Sequence, residues 1–321
     1  MTDFLSHEML RDMESAPEAH QPTNFWSKLF PSIVTEVEEF GLLNFRRHHS
    51  ALNFYVPAYA GDGGSQQLAN YDYLTFRRFD NPCNRPKLDS VCESQVGNPL
   101  QQFEFSGNLY SRSFLNYLRG LVYLKSLVDT DTITSVLEIG GGYGTLGEIF
   151  LKSDFDRYFY VNVDIPPLAY ISTRYLEEVF GKENVAGYDV TKEMDVIDVA
   201  EMSKRYKAMV LCSWQLPRLQ GVFDLFVNYI SFQEMEPDVV ENYAKHVNRL
   251  VKNYILLRNQ RYGKQVANKV GDFGVLEPVT REHYLKFFSG FDLVGVDSKT
   301  FGEEKGGFAS EVMVLNRQDK Y

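Results

Sequence analysis

The second half of the chain alternates short apolar runs with segments whose apolar residues recur every three or four positions. "SVLEIG" is followed by "GTLGEIFLK", and this pair predicts a strand and then a helix. Further along, the strand predicted from "FDLFVNYISF" precedes the helix predicted from "EPDVVENYAKHVNRLV". A chain that repeats this unit is expected to fold as a doubly wound α/β sheet with helices on both faces.

Two places depart from the regular alternation. Both "NVAGYDV" and "KAMVLCSW" can supply the third strand, and we favour the second because its apolar run is longer. Near the C-terminus, "FDLVGVDSK" and "SEVMVLNR" flank the glycine-containing turn "GEEKGG", which predicts an antiparallel hairpin. We therefore expect a mostly parallel sheet with a mixed edge.

Residues 1–108 show no alternation of strand and helix. Loop-rich stretches such as "YAGDGGSQQ" separate short helical pieces, and a helix predicted from "YSRSFLNYLRGLVYLKSLVD" connects this region to the sheet. We expect residues 1–108 to form a mainly helical N-terminal cap that takes part in substrate binding. Residues 109–321 would then form the sheet domain.

Composition excludes several classes of partner. The 321 residues carry a formal net charge of -10 and include no run dense in Lys or Arg, so no nucleic-acid partner is expected. No apolar stretch approaches the roughly 18 residues that a membrane helix needs, and we expect a cytoplasmic protein. The spacing of Cys83, Cys92 and Cys212 fits neither a redox pair nor a zinc site, which favours reduced structural thiols.

Candidate chemistry concentrates in the turn of "VLEIGGGYGTLGEIF". Gly140, Gly142 and Gly144 allow positive φ angles and let a ligand approach the backbone. In an open α/β sheet, ligands bind at the carboxyl ends of the strands, near the point where strand order reverses. The turn satisfies both G-x-G-x-x-G and E-x-G-x-G-x-G, so the pattern alone allows either a dinucleotide or S-adenosylmethionine.

Electrostatics separates these two ligands. A dinucleotide places its pyrophosphate at the helix N-terminus, where a carboxylate at Glu138 would repel it. The same carboxylate attracts the sulfonium and ammonium groups of S-adenosylmethionine, and Asp164 can accept hydrogen bonds from the ribose of either ligand. An NAD(P)-dependent oxidoreductase is the weaker alternative, because it leaves the C-terminal hairpin unexplained.

The motif "VLEIGGGYG", Asp164 in "VDIPP" and the strand "FDLFVNYISFQEM" together resemble class I S-adenosylmethionine-dependent methyltransferases. More narrowly, the chain from about Gly97 onward is similar to a bacterial sugar O-methyltransferase family. The segments that carry this narrower resemblance are "VLEIGGGYGTLGEIF", "DIPPLAYISTRYL", "SWQLPRL" and "SFQEM".

The resemblance implies a Rossmann-like seven-stranded methyltransferase sheet and S-adenosylmethionine as cofactor. It also implies transfer of a methyl group to a hydroxyl of a sugar, in a nucleotide sugar or a surface polysaccharide, and by analogy a homodimer. A non-catalytic cofactor-binding protein or partner subunit with the same fold is the alternative. The implied cofactor contacts are Glu138, Gly140, Gly142, Tyr143, Gly144, Asp164, Ile165, Trp214, Gln215 and Asn228.

Methyl transfer to a hydroxyl needs an aligned acceptor and a group that takes up the proton. Glu234, just beyond the strand predicted from "FDLFVNYISF", is the favoured base, although a carboxylate there also stabilises the N-terminus of the next helix. His48 and His49 in the cap are the alternative bases, and Arg258 could hydrogen-bond a hydroxyl. The expected substrate contacts are Ser231, Gln233 and Asn259. No spacing compels a metal site, so a metal requirement is left open.

Overall fold

The computed structural model describes residues 4–48, 63–305 and 308–318. Its α-helices are α1 (Phe4–Glu14), α2 (Asn24–Phe40), α3 (Phe45–His48), α4 (Gly63–Phe79), α5 (Arg112–Leu127), α6 (Thr145–Ser153), α7 (Pro166–Phe180), α8 (Tyr188–Thr191), α9 (Val199–Arg205), α10 (Pro237–Leu250) and α11 (Arg281–Phe287). Within these described ranges, none of the helices has the length and apolar character needed to cross a membrane.

The strands are shorter and lie mainly after residue 130. They are β1 (Phe103–Phe105), β2 (Asn108–Tyr110), β3 (Ser135–Ile139), β4 (Phe159–Asp164), β5 (Val185–Ala186), β6 (Ile197–Asp198), β7 (Ala208–Cys212), β8 (Leu219–Gln220), β9 (Phe223–Tyr229), β10 (Val251–Gln260), β11 (Phe291–Asp297), β12 (Glu303–Lys305) and β13 (Phe308–Arg317). Outside the main sheet, β1 pairs with β2 and β6 pairs with β8.

The main sheet has the order β11-β13-β10-β9-β3-β4-β7-β5, and β12 pairs with β13. The strands from β10 to β5 in this order are parallel, whereas β13 runs antiparallel to both β10 and β11. The chain first builds outward from β3 to β7 and then returns to β9 on the other side of β3, so the strand order reverses beside β3. This arrangement confirms the doubly wound, Rossmann-like methyltransferase fold and its antiparallel C-terminal hairpin. Among the described residues the sheet has nine strands rather than the expected seven, because the short strands β5 and β12 extend it.

Both candidates for the third strand contribute to the sheet. The favoured one forms β7, which pairs in parallel with β4 so that Asp164 lies opposite Cys212. The other forms β5, a two-residue strand at the outer edge beside β7. The polar stretch between β5 and β7 contains α8 and α9, and it leaves the sheet before returning to it.

Helix starts follow from local chemistry. Pro166 and Pro167 begin α7, because a proline in the first helical turn gives up no intrahelical hydrogen bond and has a suitable φ. The same helix ends at Gly181, which has a φ of 91°. Pro237 begins α10 in the same way. Since β4 and β9 both run parallel to β3, the strand ends that precede α7 and α10 lie at the same edge of the sheet.

The cap packs on the sheet domain through a shared hydrophobic core. One buried cluster contains Phe25, Phe45 and Phe76 from the cap together with Leu146 and Leu176 from the helices that flank the sheet. A second cluster fills the opposite face of the sheet. The described part of the cap is mainly helical, and the division between residues 108 and 109 stays a prediction.

Candidate functional site

The glycine turn lies at the carboxyl end of β3, where the strand order reverses. Gly140, Gly142 and Gly144 have φ angles of 70°, 57° and 99°, in the left-handed region that favours glycine. A Cβ atom at Gly140 would lie 2.0 Å from the Oγ atom of Ser231, so the turn has no room for a side chain there. Gly140 and Ser231 both line a narrow cavity at this edge of the sheet.

Asp164 ends the neighbouring strand β4 and faces the same cavity. Its Oδ2 accepts a hydrogen bond of 2.9 Å from the Gly142 amide, and its Oδ1 accepts one of 2.8 Å from the Ile165 amide. Burial raises the pKa of Asp164 to about 7, while these two backbone donors act against the rise. The structure therefore brings Gly140, Asp164 and Ile165 together, and we call the space that they line the cofactor cavity.

The connection between α1 and α2 covers the cofactor cavity. Gln21, Pro22, Thr23 and Trp26 line it from the cap side. The Thr23 hydroxyl donates a 2.9 Å hydrogen bond to the carbonyl of Glu234, which holds the cap segment down. The remaining volume is about 30 Å³, space for one or two water molecules. This space is smaller than a nucleoside, so we expect residues 20–26 to move outward when a ligand of that size binds.

Glu138 lies beneath the glycine turn rather than in the cavity. Its carboxylate accepts hydrogen bonds from the hydroxyls of Tyr117 at 2.8 Å and Tyr160 at 2.5 Å. A Cβ atom at Gly141 would lie 2.5 Å from its Oε2, so the carboxyl group packs directly against the turn. Burial raises the pKa of Glu138 to about 7. Glu138 therefore supports the backbone of the turn, and its interaction with a cationic cofactor stays a prediction.

Two other residues of the motif, Tyr143 and Gly144, help to form the fold around the turn. Tyr143 is fully buried, and its ring centroid lies 5.5 Å from that of Phe45 and 5.0 Å from that of Tyr175. It therefore belongs to the core between cap and sheet rather than to the cofactor cavity. Gly144 precedes the first residue of α6, where its positive φ lets the turn enter the helix.

The residues after β7 differ from the predicted adenine contacts. The Gln215 side chain accepts a 2.8 Å hydrogen bond from the Cys212 amide and donates one of 3.0 Å to the Thr191 hydroxyl. Both of its polar atoms thus make a hydrogen bond within the protein, and its contact with adenine stays a prediction. Trp214 is half-buried and meets the Tyr188 ring edge-on, with centroids 6.0 Å apart.

A buried amide network connects β9 and β10 behind the turn. Asn228 donates hydrogen bonds of 2.8 Å to the Ile139 carbonyl and 2.7 Å to the Ser231 hydroxyl, and it accepts one of 3.0 Å from Asn259. Asn259 in turn accepts a 3.2 Å hydrogen bond from the Gln233 amide. Asn228 and Asn259 therefore position the loop after β9. Ser231 lines the cofactor cavity, and Gln233 lines a second one.

This second cavity, which we call the acceptor cavity, has a volume of about 270 Å³. Phe25 and Trp26 of α2 form an apolar wall, and Tyr229, Gln233 and Glu234 contribute polar groups. Trp26 lines both cavities, so the cofactor cavity and the acceptor cavity adjoin at this indole. Sequence reasoning missed Trp26, because a tryptophan in a region without motifs carries no local sign of its position.

Glu234 lines the acceptor cavity, and its role as a base stays a prediction. It is 3% exposed, and its Oε1 lies 2.8 Å from the Nζ atom of Lys264. Burial raises the pKa of Glu234, whereas the interactions with Lys264 and Trp26 lower it. A carboxylate with a cationic neighbour in an enclosed site can accept a proton from a bound hydroxyl.

The histidine alternatives stay predictions. His48 ends α3, and His49 lies outside the described residues. Across the described ranges, no three or more His, Cys, Asp or Glu residues are grouped so that they could hold a metal ion.

Comparison with known proteins found no matching family model and no matching curated protein. Among solved structures, the chain is similar to magnesium protoporphyrin IX methyltransferase (ChlM) from Synechocystis PCC 6803 with bound SAH, at 12% identity and a TM-score of 0.42 over 79% of this chain and 98% of that one. The mitomycin 7-O-methyltransferase MmcR shares 11% identity at a TM-score of 0.41, over 98% of this chain and 76% of its own. A SAM-dependent methyltransferase from Aquifex aeolicus shares 14% identity at a TM-score of 0.39, over 61% and 88%. These values are low, and the fold assignment rests on the strand order described above.

Proposed function

We propose that this protein is an S-adenosylmethionine-dependent O-methyltransferase whose acceptor is a hydroxyl of a sugar. The observation that carries the proposal is the pair of adjoining cavities at the carboxyl edge of the sheet. Gly140 and Asp164 lie on one side of Trp26, and Glu234 lies on the other. A donor and an acceptor bound in these two spaces would meet beside a carboxylate.

The groups around the cofactor cavity suit S-adenosylmethionine. Each Asp164 oxygen accepts one backbone hydrogen bond and retains a lone pair for a ribose hydroxyl. Ile165 and Leu168 offer apolar surface for a base, and Gly140 leaves its backbone free of a side chain. When bound, this cofactor supplies an electrophilic methyl group.

On the acceptor side, the protein orients the hydroxyl and holds its proton. The Glu234 carboxylate is the proposed acceptor of that proton, and the nearby Lys264 ammonium favours its ionised form. Gln233 lines the same cavity and is proposed to hold a second hydroxyl. Phe25 and Trp26 line this side with apolar rings, and we expect them to limit the access of water to the methyl donor.

Calorimetric titration with S-adenosylhomocysteine, run beside NADH, tests the donor. We expect micromolar binding of S-adenosylhomocysteine and no binding of NADH, since the described lining of the cofactor cavity offers carboxylate acceptors for ribose and no cation for a pyrophosphate. The reverse pattern would favour the oxidoreductase alternative and contradict the proposal.

Transfer of a labelled methyl group to a panel of sugars tests catalysis. Glu234→Gln should leave S-adenosylhomocysteine affinity unchanged and lower the transfer rate by about 10²–10⁴-fold, as expected for loss of a general base. Glu236→Gln, two residues away at the start of α10, is the matched control. Transfer that survives Glu234→Gln, His48→Ala and His49→Ala would remove the assigned base. Cofactor binding with no transfer to any sugar would favour the non-catalytic alternative.

A further inference from the structure

A buried cation in the acceptor cavity has an unpaired donor. Arg258 lies near the carboxyl end of β10, is 3% exposed and lines the cavity. Its Nη1 atom is buried and has no hydrogen-bond partner within residues 4–48, 63–305 and 308–318. Its Nε makes a hydrogen bond of 3.4 Å to the hydroxyl of Ser310, at the long end of the range. The guanidinium is thus incompletely satisfied within the protein.

Two carboxylates, Asp72 and Glu303, act on the charge of Arg258. Asp72 accepts hydrogen bonds from Arg112 at 3.1 Å and from Arg119 at 2.5 Å. Glu303 also lines the cavity and attracts Arg258. Neither carboxylate forms an ion pair with Arg258 among the described residues.

An unpaired guanidinium is unfavourable in such a place. Buried charges in proteins are ordinarily paired, because the interior does not replace the hydration that they lose. Burial lowers the pKa of Arg258, and repulsion from Arg119 lowers it further. The side chain nevertheless stays protonated, since guanidinium groups keep their charge in proteins. A bound anion would satisfy it.

We propose that the acceptor carries an anionic group, a carboxylate or a phosphate, which pairs with Arg258 while a hydroxyl of the same molecule faces Glu234. The inference rests on the proposed function and narrows its substrate to sugar acids or sugar phosphates. The guanidinium fork matches the oxygen spacing of both groups and can bind them through two hydrogen bonds. A neutral sugar would leave Nη1 unpaired, which disfavours it.

The substrate test compares three molecules with the same ring: glucose, glucuronate and glucose 1-phosphate. Each is titrated by calorimetry into protein saturated with S-adenosylhomocysteine, at constant ionic strength. At least one anionic probe should bind wild-type protein about tenfold or more tightly than glucose, which is the worth of a hydrogen bond to a charged group. Arg258→Gln should remove this preference, and Arg258→Lys should restore part of it. Tighter binding of glucuronate would indicate a site for a carboxylate, and tighter binding of glucose 1-phosphate would indicate a site for a phosphate.

Inorganic phosphate tests the same contact without a sugar and without the cofactor. Phosphate should raise the Tm of wild-type protein and of Arg258→Lys, and should leave Arg258→Gln unchanged. Arg205→Gln is the matched control, because Arg205 is exposed and lies outside the cavity. In the absence of anions, Arg258→Gln should keep or raise Tm, since it removes an unpaired buried charge. A purely structural arginine would give the opposite shift.

Equal affinity of wild-type protein for the three sugars, with no response to phosphate, overturns the inference. So does a preference that persists in Arg258→Gln. These wild-type comparisons decide the matter even if Arg258→Gln fails to fold. A phosphate response that depends on Arg258, together with no binding of S-adenosylhomocysteine, would refute the methyltransferase proposal while the anion site stands.

Discussion

Replacement of Gly140 by alanine tests whether backbone geometry reserves the turn for glycine. Gly140 has a φ of 70°, and a Cβ atom there would lie 2.0 Å from the Oγ atom and 2.3 Å from the Cβ atom of Ser231. Ser231 cannot rotate away without losing its hydrogen bonds to Asn228 at 2.7 Å and to the Ile139 carbonyl at 3.2 Å. The substitution therefore combines backbone strain with a steric clash.

The two effects have separable magnitudes. A left-handed conformation costs a residue with a Cβ atom about 1–2 kcal/mol, and overpacking in a tight site adds about 1–3 kcal/mol. Gly140→Ala should therefore lower the free energy of unfolding by about 2–5 kcal/mol. Gly107→Ala is the matched control, because Gly107 has a φ of 80° and a Cβ atom there would meet no atom of the described residues within 4 Å. Gly107→Ala should therefore lose only the stability that the left-handed conformation costs, about 1–2 kcal/mol.

Guanidinium denaturation followed by circular dichroism measures both variants, and calorimetry measures their affinity for S-adenosylhomocysteine. We expect weaker binding by Gly140→Ala and unchanged binding by Gly107→Ala, since only the first displaces the turn. Adding Ser231→Gly to Gly140→Ala should recover the part of the loss due to the clash. The reasoning is refuted if Gly140→Ala is no less stable than Gly107→Ala, or if it binds S-adenosylhomocysteine as wild-type protein does.

Three further predictions concern charge and closure. Lys264→Met removes the cation that lowers the pKa of Glu234, so the acid limb of the methyl-transfer rate against pH should move to higher pH. If the limb does not move, Glu234 is not the group that takes up the proton. The pKa of Glu138 is about 7 in the folded protein against 4.5 ordinarily, so the native state binds more protons between these values and stability falls as pH rises through them. Glu138→Gln should make this fall shallower in urea midpoints measured from about pH 5 to 7, and an equally steep fall would contradict the assigned burial effect. Ser213→Ala removes a 2.5 Å hydrogen bond to the His20 carbonyl, which should speed association of S-adenosylhomocysteine in stopped-flow measurements. An unchanged rate would mean that this bond does not hold residues 20–26 over the cofactor cavity.

Much of the fold is readable from short stretches of sequence. The apolar runs of β3, β4, β9 and β10 and the helical spacing after them predict the alternation, because side-chain periodicity depends only on neighbouring residues. The prolines that begin α7 and α10 act equally locally. The longer apolar run was favoured as the third strand and does pair with β4 as β7, but nothing in the sequence showed that the shorter run also joins the sheet, as β5 beside β7.

The candidate site, like the fold, was readable from the sequence only in part. The positions of Gly140 and Asp164 follow from the turn and from the end of a strand, and the structure brings them together as expected. The protein partners of Glu138, Tyr143 and Gln215 were not readable from the sequence, and the cofactor contacts of these residues stay predictions. A carboxylate or an amide in a motif gives no sign of whether its partner is a ligand or another side chain.

By itself, then, the sequence determined the strand and helix units, the glycine turn and the acidic residue Asp164 at the end of β4. Only the tertiary structure decided what covers that turn and which charges are paired. Thr23 donates a hydrogen bond to the carbonyl of Glu234, 211 positions away, and Arg119 pairs with Asp72, 47 positions before it. The physical reason is that periodicity and capping act within a few residues, whereas burial and charge pairing depend on segments that meet only when the chain has folded.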